Sequence, residues 1–138
     1  MIENQELSRR EPVSIVAIGA GNRTGKYLHY ILKNPDKARL VGVVELNDLR
    51  RANVAKMAGL SANQCFKTYE EFFKNPVKAD AVMICTPENV HFQPCMLAQE
   101  HGYHILLEKP IAQNLEECRI IAEEARKRGL VVAVTLIS

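Results

Sequence analysis

Four places in the sequence set glycine, carboxylate, hydroxyl or ammonium groups directly after a short apolar run, where a strand gives way to a turn. The first is Gly19-Ala20-Gly21-Asn22-Arg23-Thr24-Gly25, which follows Val13 to Ile18 and precedes apolar residues at the helical spacing of Tyr27, Tyr30 and Ile31. In that setting glycines let backbone amides approach a pyrophosphate at a helix N-terminus. The third glycine of G-x-G-x-x-G falls on Thr24 and Gly25 comes one residue late, so either the loop carries an extra residue or Thr24 packs where glycine usually does. A triphosphate-binding loop ending in Gly25-Lys26 is refused at two positions. Its opening glycine would be Ala20, and its magnesium-binding hydroxyl would fall on Tyr27.

Glu45 closes the second apolar run, about 20 residues beyond Gly25, where a carboxylate accepts hydrogen bonds from an adenosine ribose and repels a 2'-phosphate. The plain alternative is a solvated loop carboxylate. Arg50 and Arg51 nearby could answer a 2'-phosphate, or form the solvated face of a helix. Thr86 and Pro87 follow the third run. Glu108-Lys109-Pro110 follows the fourth, and the proline biases Lys109 away from helix, at an edge where an ammonium can orient and polarise a substrate hydroxyl or carbonyl. Taken alone, Lys109 reads as an exposed surface lysine, and only its place beside a dinucleotide loop favours the chemical role. His29 and His104 read as structural. His91 opens a helix and could face the cleft, or serve as a capping or surface residue, and no metal spacing joins it to another ligand.

These residues need a scaffold that brings strand ends together, and the sequence predicts one by regular alternation. Strands are expected at Val13 to Ile18, Leu40 to Glu45, Ala79 to Cys85, His104 to Leu107 and Leu130 to Val134. Helices are expected after the glycine loop through Tyr27, Tyr30 and Ile31, and over Asp48 to Met57, Tyr69 to Phe73, about His91 to His101 and Asn114 to Arg128. The last has Asn114 as cap, Glu117 to complete a capping box, an apolar stripe of Leu115, Cys118, Ile121, Ala122 and Ala125, and Gly129 after its basic end. Strands that are nearly all apolar need cover on both faces. A doubly wound α/β domain with a parallel sheet between two helix layers supplies it, and ligands in such sheets bind at the carboxyl ends of the strands. Residues 1–11 read as a disordered lead and 12–138 as one domain.

Taken together, Gly19-Ala20-Gly21-Asn22-Arg23, Glu45, Cys85-Thr86-Pro87-Glu88-Asn89-Val90-His91 and the run from Gly102 to Pro110 resemble the glucose-fructose oxidoreductase and inositol dehydrogenase family, Gfo/Idh/MocA. Glu-Lys-Pro after Gly-x-His and a strand is the most specific part. The resemblance implies an N-terminal Rossmann domain that binds NAD, with NADP as the alternative, in an oxidoreductase acting on sugars, cyclitols or related hydroxy compounds. It implies that Lys109 is the catalytic lysine and that Glu108 and Pro110 shape the turn presenting it. Thr86 and Pro87 would line the cofactor, and His91 matches the histidine of the family's Thr-Pro-Asn-x-x-His pattern, from which Glu88 departs. The family's larger α/β substrate domain is absent from these 138 residues, so the expectation is cofactor binding without turnover. Two other functions are carried beside it: an NAD-dependent glycosidase of the same family, and a non-catalytic nucleotide-binding module.

Composition narrows the partners further. Lys plus Arg total 18 against 16 Asp plus Glu, a net charge of +2 that provides no field for a polyanion, so neither nucleic acid nor a membrane surface is expected. With no long apolar run and a polar N-terminus, the expected compartment is the cytoplasm. Cys65, Cys85, Cys95 and Cys118 form no C-x-x-C pair and read as reduced, mostly buried residues. Apolar surface left uncovered by a missing domain would allow self-association.

Overall fold

The computed structural model describes residues 11–86, 91–108 and 115–135. Six strands form one parallel sheet: β1 (Val13–Ile18), β2 (Ala38–Val44), β3 (Cys65–Phe66), β4 (Ala81–Ile84), β5 (His104–Glu108) and β6 (Val132–Thr135). Their order is β3-β2-β1-β4-β5-β6, so β1 lies at the centre and the winding reverses between β1 and β4. The helices are α1 (Asn22–Lys33), α2 (Asp48–Ala58), α3 (Tyr69–Lys74), α4 (Phe92–Glu100) and α5 (Leu115–Arg128). This is the doubly wound Rossmann arrangement expected from the sequence.

The strand alternation divides the core into two halves. Val16 and Ile18 of β1, with Val82 and Ile84 of β4, pack against Phe72, Cys95, Ala98 and Ile121 from α3, α4 and α5. Ile15 and Ala17, with Met83, pack instead against Leu28 and Ile31 of α1 and Val54 of α2. Period-two exposure of side chains to both faces is why β1 and β4 read as continuous apolar runs. The α1 and α2 layer leaves part of its sheet face open. An apolar groove of 850 Å³ runs there, lined among others by Tyr30, Met83, Leu106, Val131 and Ala133. No helix of the described residues is long and apolar enough to cross a membrane.

Helix ends follow local chemistry. Asn47 caps α2 by accepting from the Arg50 amide at 3.0 Å, and Thr68 caps α3 by accepting from the Glu71 amide at 3.1 Å. The expected Asn114 cap of α5 lies outside the described residues. Along α5, Ile121 and Ala125 are buried, whereas Ala122, placed in the apolar stripe by spacing, is exposed, because it sits a helical step away from the line facing the sheet. The two-residue edge strand β3 and the single 3-10 turn at Ala62–Gln64 before it were not expected from the sequence.

Candidate functional site

The reversal between β1 and β4 opens a crevice at the carboxyl ends of the strands, and the chain tightens it with backbone hydrogen bonds. Gly19 donates to the Val44 carbonyl at 2.7 Å, and Cys85 donates to the Ile18 carbonyl at 2.8 Å, so the exits of β1, β2 and β4 are laced together. Gly19 has φ +97, a conformation that side-chain-bearing residues rarely adopt. A Cβ on it would stand 2.9 Å from the Cys85 carbonyl carbon and 3.1 Å from the Thr86 nitrogen. Position 19 is therefore glycine for two separate reasons, backbone angle and lack of room.

Gly21 then occupies the N-cap of α1 in an extended conformation. Glycine has no side chain to bond the first-turn amides, which leaves their donors directed at the crevice mouth. Among the described residues, open space surrounds the Cβ positions of both Gly21 and Gly25. Gly25 is exposed within α1, so it does not supply the close helix-to-sheet contact of the third motif glycine. Asn22, Arg23 and Thr24 form the first turn of α1, and their side chains lie outside the described structure.

Glu45, just beyond β2, is half-buried and divides its carboxylate between two loops. One oxygen accepts from the Ala20 amide at 2.8 Å and the other from the Asn47 amide at 2.7 Å. The carboxylate thus ties the glycine loop to the turn that starts α2, and it is not the freely solvated loop carboxylate that the sequence left open. Arg51 also departs from the solvated-face reading. One guanidinium nitrogen donates to the Glu45 carbonyl at 2.7 Å and another to Asp48 at 2.6 Å, and the side chain is only 17% exposed. Asp48 is correspondingly held below the usual carboxylate range, first by the Arg51 hydrogen bond and then by the charges of Arg51 and Lys67.

On the other side of the crevice, Thr86 has a buried hydroxyl oxygen without a hydrogen-bond partner among the described residues. Its carbonyl is met by Nε2 of His91, whose ring is 2% exposed. A carbonyl can only accept, so the imidazole nitrogen facing it carries the proton. The reading of His91 as a surface or capping residue is therefore corrected. It precedes α4 and makes no side-chain cap, and it braces the β4 exit from inside the protein. Glu108 ends β5 beside Thr135 of β6 at the same carboxyl edge. Lys109, Pro110 and Pro87 lie outside the described residues, as does the Glu108 side chain.

The structure consequently brings Gly19, Gly21, Glu45, Thr86 and His91 around one crevice. Sequence reasoning missed Leu46 and Leu49, which flank the Glu45 turn at 72% and 70% exposure. Their exposure leaves apolar surface beside the carboxylate, which residue type and spacing alone do not reveal. Among the described residues, no group of three His, Cys, Asp or Glu side chains is arranged to hold a metal ion.

A dinucleotide fits these residues. Among the described residues nothing stands within 4 Å of a Cβ at Gly21, Glu45 can accept from ribose hydroxyls, and the buried Thr86 hydroxyl has no partner among the described residues. Comparison with known proteins agrees with the fit. Residues 13–136 match a family model described as an oxidoreductase family with an NAD-binding Rossmann fold. The D-glucoside 3-dehydrogenase of Escherichia coli is 29% identical over 124 residues, which are 88% of this chain and 34% of that protein. A UDP-N-acetylglucosamine 3-dehydrogenase of Acidithiobacillus ferrooxidans is 33% identical over 97 residues, 70% of this chain and 29% of that one. Among solved structures, an Azotobacter vinelandii inositol dehydrogenase homologue complexed with NADH and myo-inositol superposes with a TM-score of 0.77 at 27% identity, covering 91% of this chain and 35% of the other. The chain thus spans about a third of the length of such relatives.

Proposed function

The chain belongs to the Gfo/Idh/MocA oxidoreductase family, and from that premise we propose that it binds NAD in preference to NADP and supplies the cofactor-binding part of an enzyme that oxidises or reduces a sugar, cyclitol or related hydroxy compound. The observation that carries the reading is the Glu45 carboxylate, held by the Ala20 and Asn47 amides at the mouth of a glycine loop. A carboxylate fixed there accepts from two ribose hydroxyls and repels a 2'-phosphate. When bound, the nicotinamide accepts or gives up the hydride.

The chain's own residues do the holding. The Gly19 turn brings the α1 amides close enough to bind the pyrophosphate, and Gly21 leaves the approach open. Leu46 and Leu49 give the adenine an apolar surface. Thr86 offers its hydroxyl to the cofactor, while His91 fixes the Thr86 carbonyl from behind. Lys109, following β5, donates a hydrogen bond to the reacting oxygen of the substrate and lowers the cost of moving its proton. The sugar-binding surface belongs to a second domain such as the longer relatives have room for. The four cysteines form no C-x-x-C pair, a spacing that suits a reducing compartment, the cytoplasm.

Calorimetric titration of the 138-residue protein with NAD and with NADP tests the proposal. NAD is expected to bind more tightly than NADP, and Glu45→Ala is expected to weaken NAD about tenfold or more, the scale of a lost charge-assisted hydrogen bond. Failure of the parent protein to bind either dinucleotide overturns the reading.

A further inference from the structure

Beyond the carboxylate that faces the ribose, the β2–α2 turn holds a cation whose disposition bears on which dinucleotide is accepted, a role that rests on the proposed cofactor site. Arg51 lies one turn into α2, six residues past Glu45, in a stretch where an arginine is the natural receptor for a 2'-phosphate. Its guanidinium is committed elsewhere. One nitrogen donates to the Glu45 carbonyl at 2.7 Å and reaches the Leu46 carbonyl at 3.5 Å, and the other donates to Asp48 at 2.6 Å. The arginine side chain is 17% exposed while Asp48 is 78% exposed, so the acid is the solvent-facing member of the pair.

We propose that Asp48 and Arg51 set dinucleotide choice: Asp48 holds the Arg51 guanidinium against the Glu45 carbonyl, making it a positioning group for Glu45 and withholding it from a 2'-phosphate. Three features of the turn act together. The Glu45 backbone is fixed on one side by its own amide, which donates to the Phe66 carbonyl at 2.9 Å, and on the other by Arg51. Its carboxylate is fixed by two amides, so the acceptor for the ribose hydroxyls is aimed before any ligand arrives. The planar guanidinium suits both tasks, since it can grip a carbonyl with one nitrogen and a carboxylate with the other, which an ammonium cannot do in fixed geometry. Asp48 sets a negative charge 2.6 Å from the guanidinium, so the still-cationic Arg51 belongs to a pair that is neutral overall.

The two roles open to Arg51 give opposite results on substitution. As a positioning group, its replacement in Arg51→Met weakens NAD binding several-fold and leaves the already weak NADP binding unchanged, so the NAD to NADP preference shrinks. As a phosphate receptor, the same change would weaken NADP more than NAD, and that result overturns the proposal. A second variant reads the restraint directly. Asp48→Ser keeps a polar residue in the first turn of α2 and releases one face of the guanidinium, so NADP affinity is expected to rise about tenfold, the scale of a newly made charged hydrogen bond, with NAD little changed. A gain of affinity cannot come from damage to the fold, and far-ultraviolet circular dichroism of both variants guards the first comparison. No gain for NADP in Asp48→Ser also overturns the proposal. Loss of both cofactors already in the parent protein would instead remove the cofactor reading on which it rests.

Discussion

Gly19→Ala is the sharpest probe of the crevice, because the three atoms nearest the added methyl are all backbone. At φ +97 a residue bearing Cβ occupies a sparsely populated region, at a cost of about 1–3 kcal/mol. The same Cβ would lie 2.9 Å from the Cys85 carbonyl carbon, 3.0 Å from its oxygen and 3.1 Å from the Thr86 nitrogen, none of which can turn aside as a flexible side chain would. Overpacking of this kind costs about 1–3 kcal/mol more. The total, about 2–6 kcal/mol, is a large share of the ~5–15 kcal/mol that holds a small domain together. Urea unfolding followed by circular dichroism should therefore show the midpoint falling by about 1–3 M, with a slope of ~2 kcal/mol per M. Gly129→Ala is the control: its φ is +67 and open space surrounds its Cβ position among the described residues, so it carries the conformational cost alone, about 1–2 kcal/mol. If Gly19→Ala proves no more destabilising than Gly129→Ala, close approach of the β1 and β4 exits is not what requires glycine at 19.

Other substitutions test the supports of the same region. His91→Leu should cost about 1–3 kcal/mol in thermal or urea unfolding by leaving the part-buried Thr86 carbonyl without this donor, and His91→Gln, which keeps an amide nitrogen within similar reach, should recover much of it; equal losses in both would show that shape and not the hydrogen bond matters. Burial pushes the Cys95 thiol up from 9.0 to about 12. Between those values the unfolded chain sheds this proton and the folded protein keeps it, so stability is intact below pH 9 and falls as pH rises toward 12. Cys95→Ala should flatten that decline, and an unchanged pH profile in urea unfolding would place the alkaline loss elsewhere. Tyr103→Phe removes the hydroxyl that donates to the Val77 carbonyl at 2.6 Å, with an expected loss of about 1 kcal/mol in the same assay.

Much of the architecture was legible because its signals are redundant. Val13 to Ile18 is apolar at every position but Ser14, is followed at once by the glycine loop, and forms β1 with the expected boundaries. The α2 helix is legible for a different reason. Val54 is its one buried residue, so its apolar face is weak, and Asn47 with Gly59 at φ +69 marks its ends. β3 escaped because two residues cannot show a period, and its existence depends on partners distant in sequence: Cys65 and Phe66 pair with Val43 and Val44, and the Phe66 ring meets Phe72 edge-on at 5.2 Å. The site divides the same way. Glu45 is visible from its distance to the glycines, whereas its two amide donors arise from turns that spacing does not specify. The burial of His91 likewise depends on how α4 settles against the sheet, and a histidine at the start of a helix gives no sign of it.

The central position of β1 has a consequence for how the site comes into being during synthesis. Its glycine loop is translated early, yet the wall facing Gly19 is Cys85 and Thr86, and β4 must first lie down beside β1 through the Ile15–Ala81 to Ile18–Ile84 register. A growing chain that has emerged only through β2 and α2 can carry the whole motif without a crevice to hold anything. The pairing that completes it spans 66 residues, as the Ser14 to Asp80 bond at its base also does. Such long closures are slow steps in folding. Dinucleotide capture should therefore switch on abruptly along a series of ribosome-stalled lengths, at the point where β4 clears the exit, and not in proportion to how much of the glycine loop has been exposed.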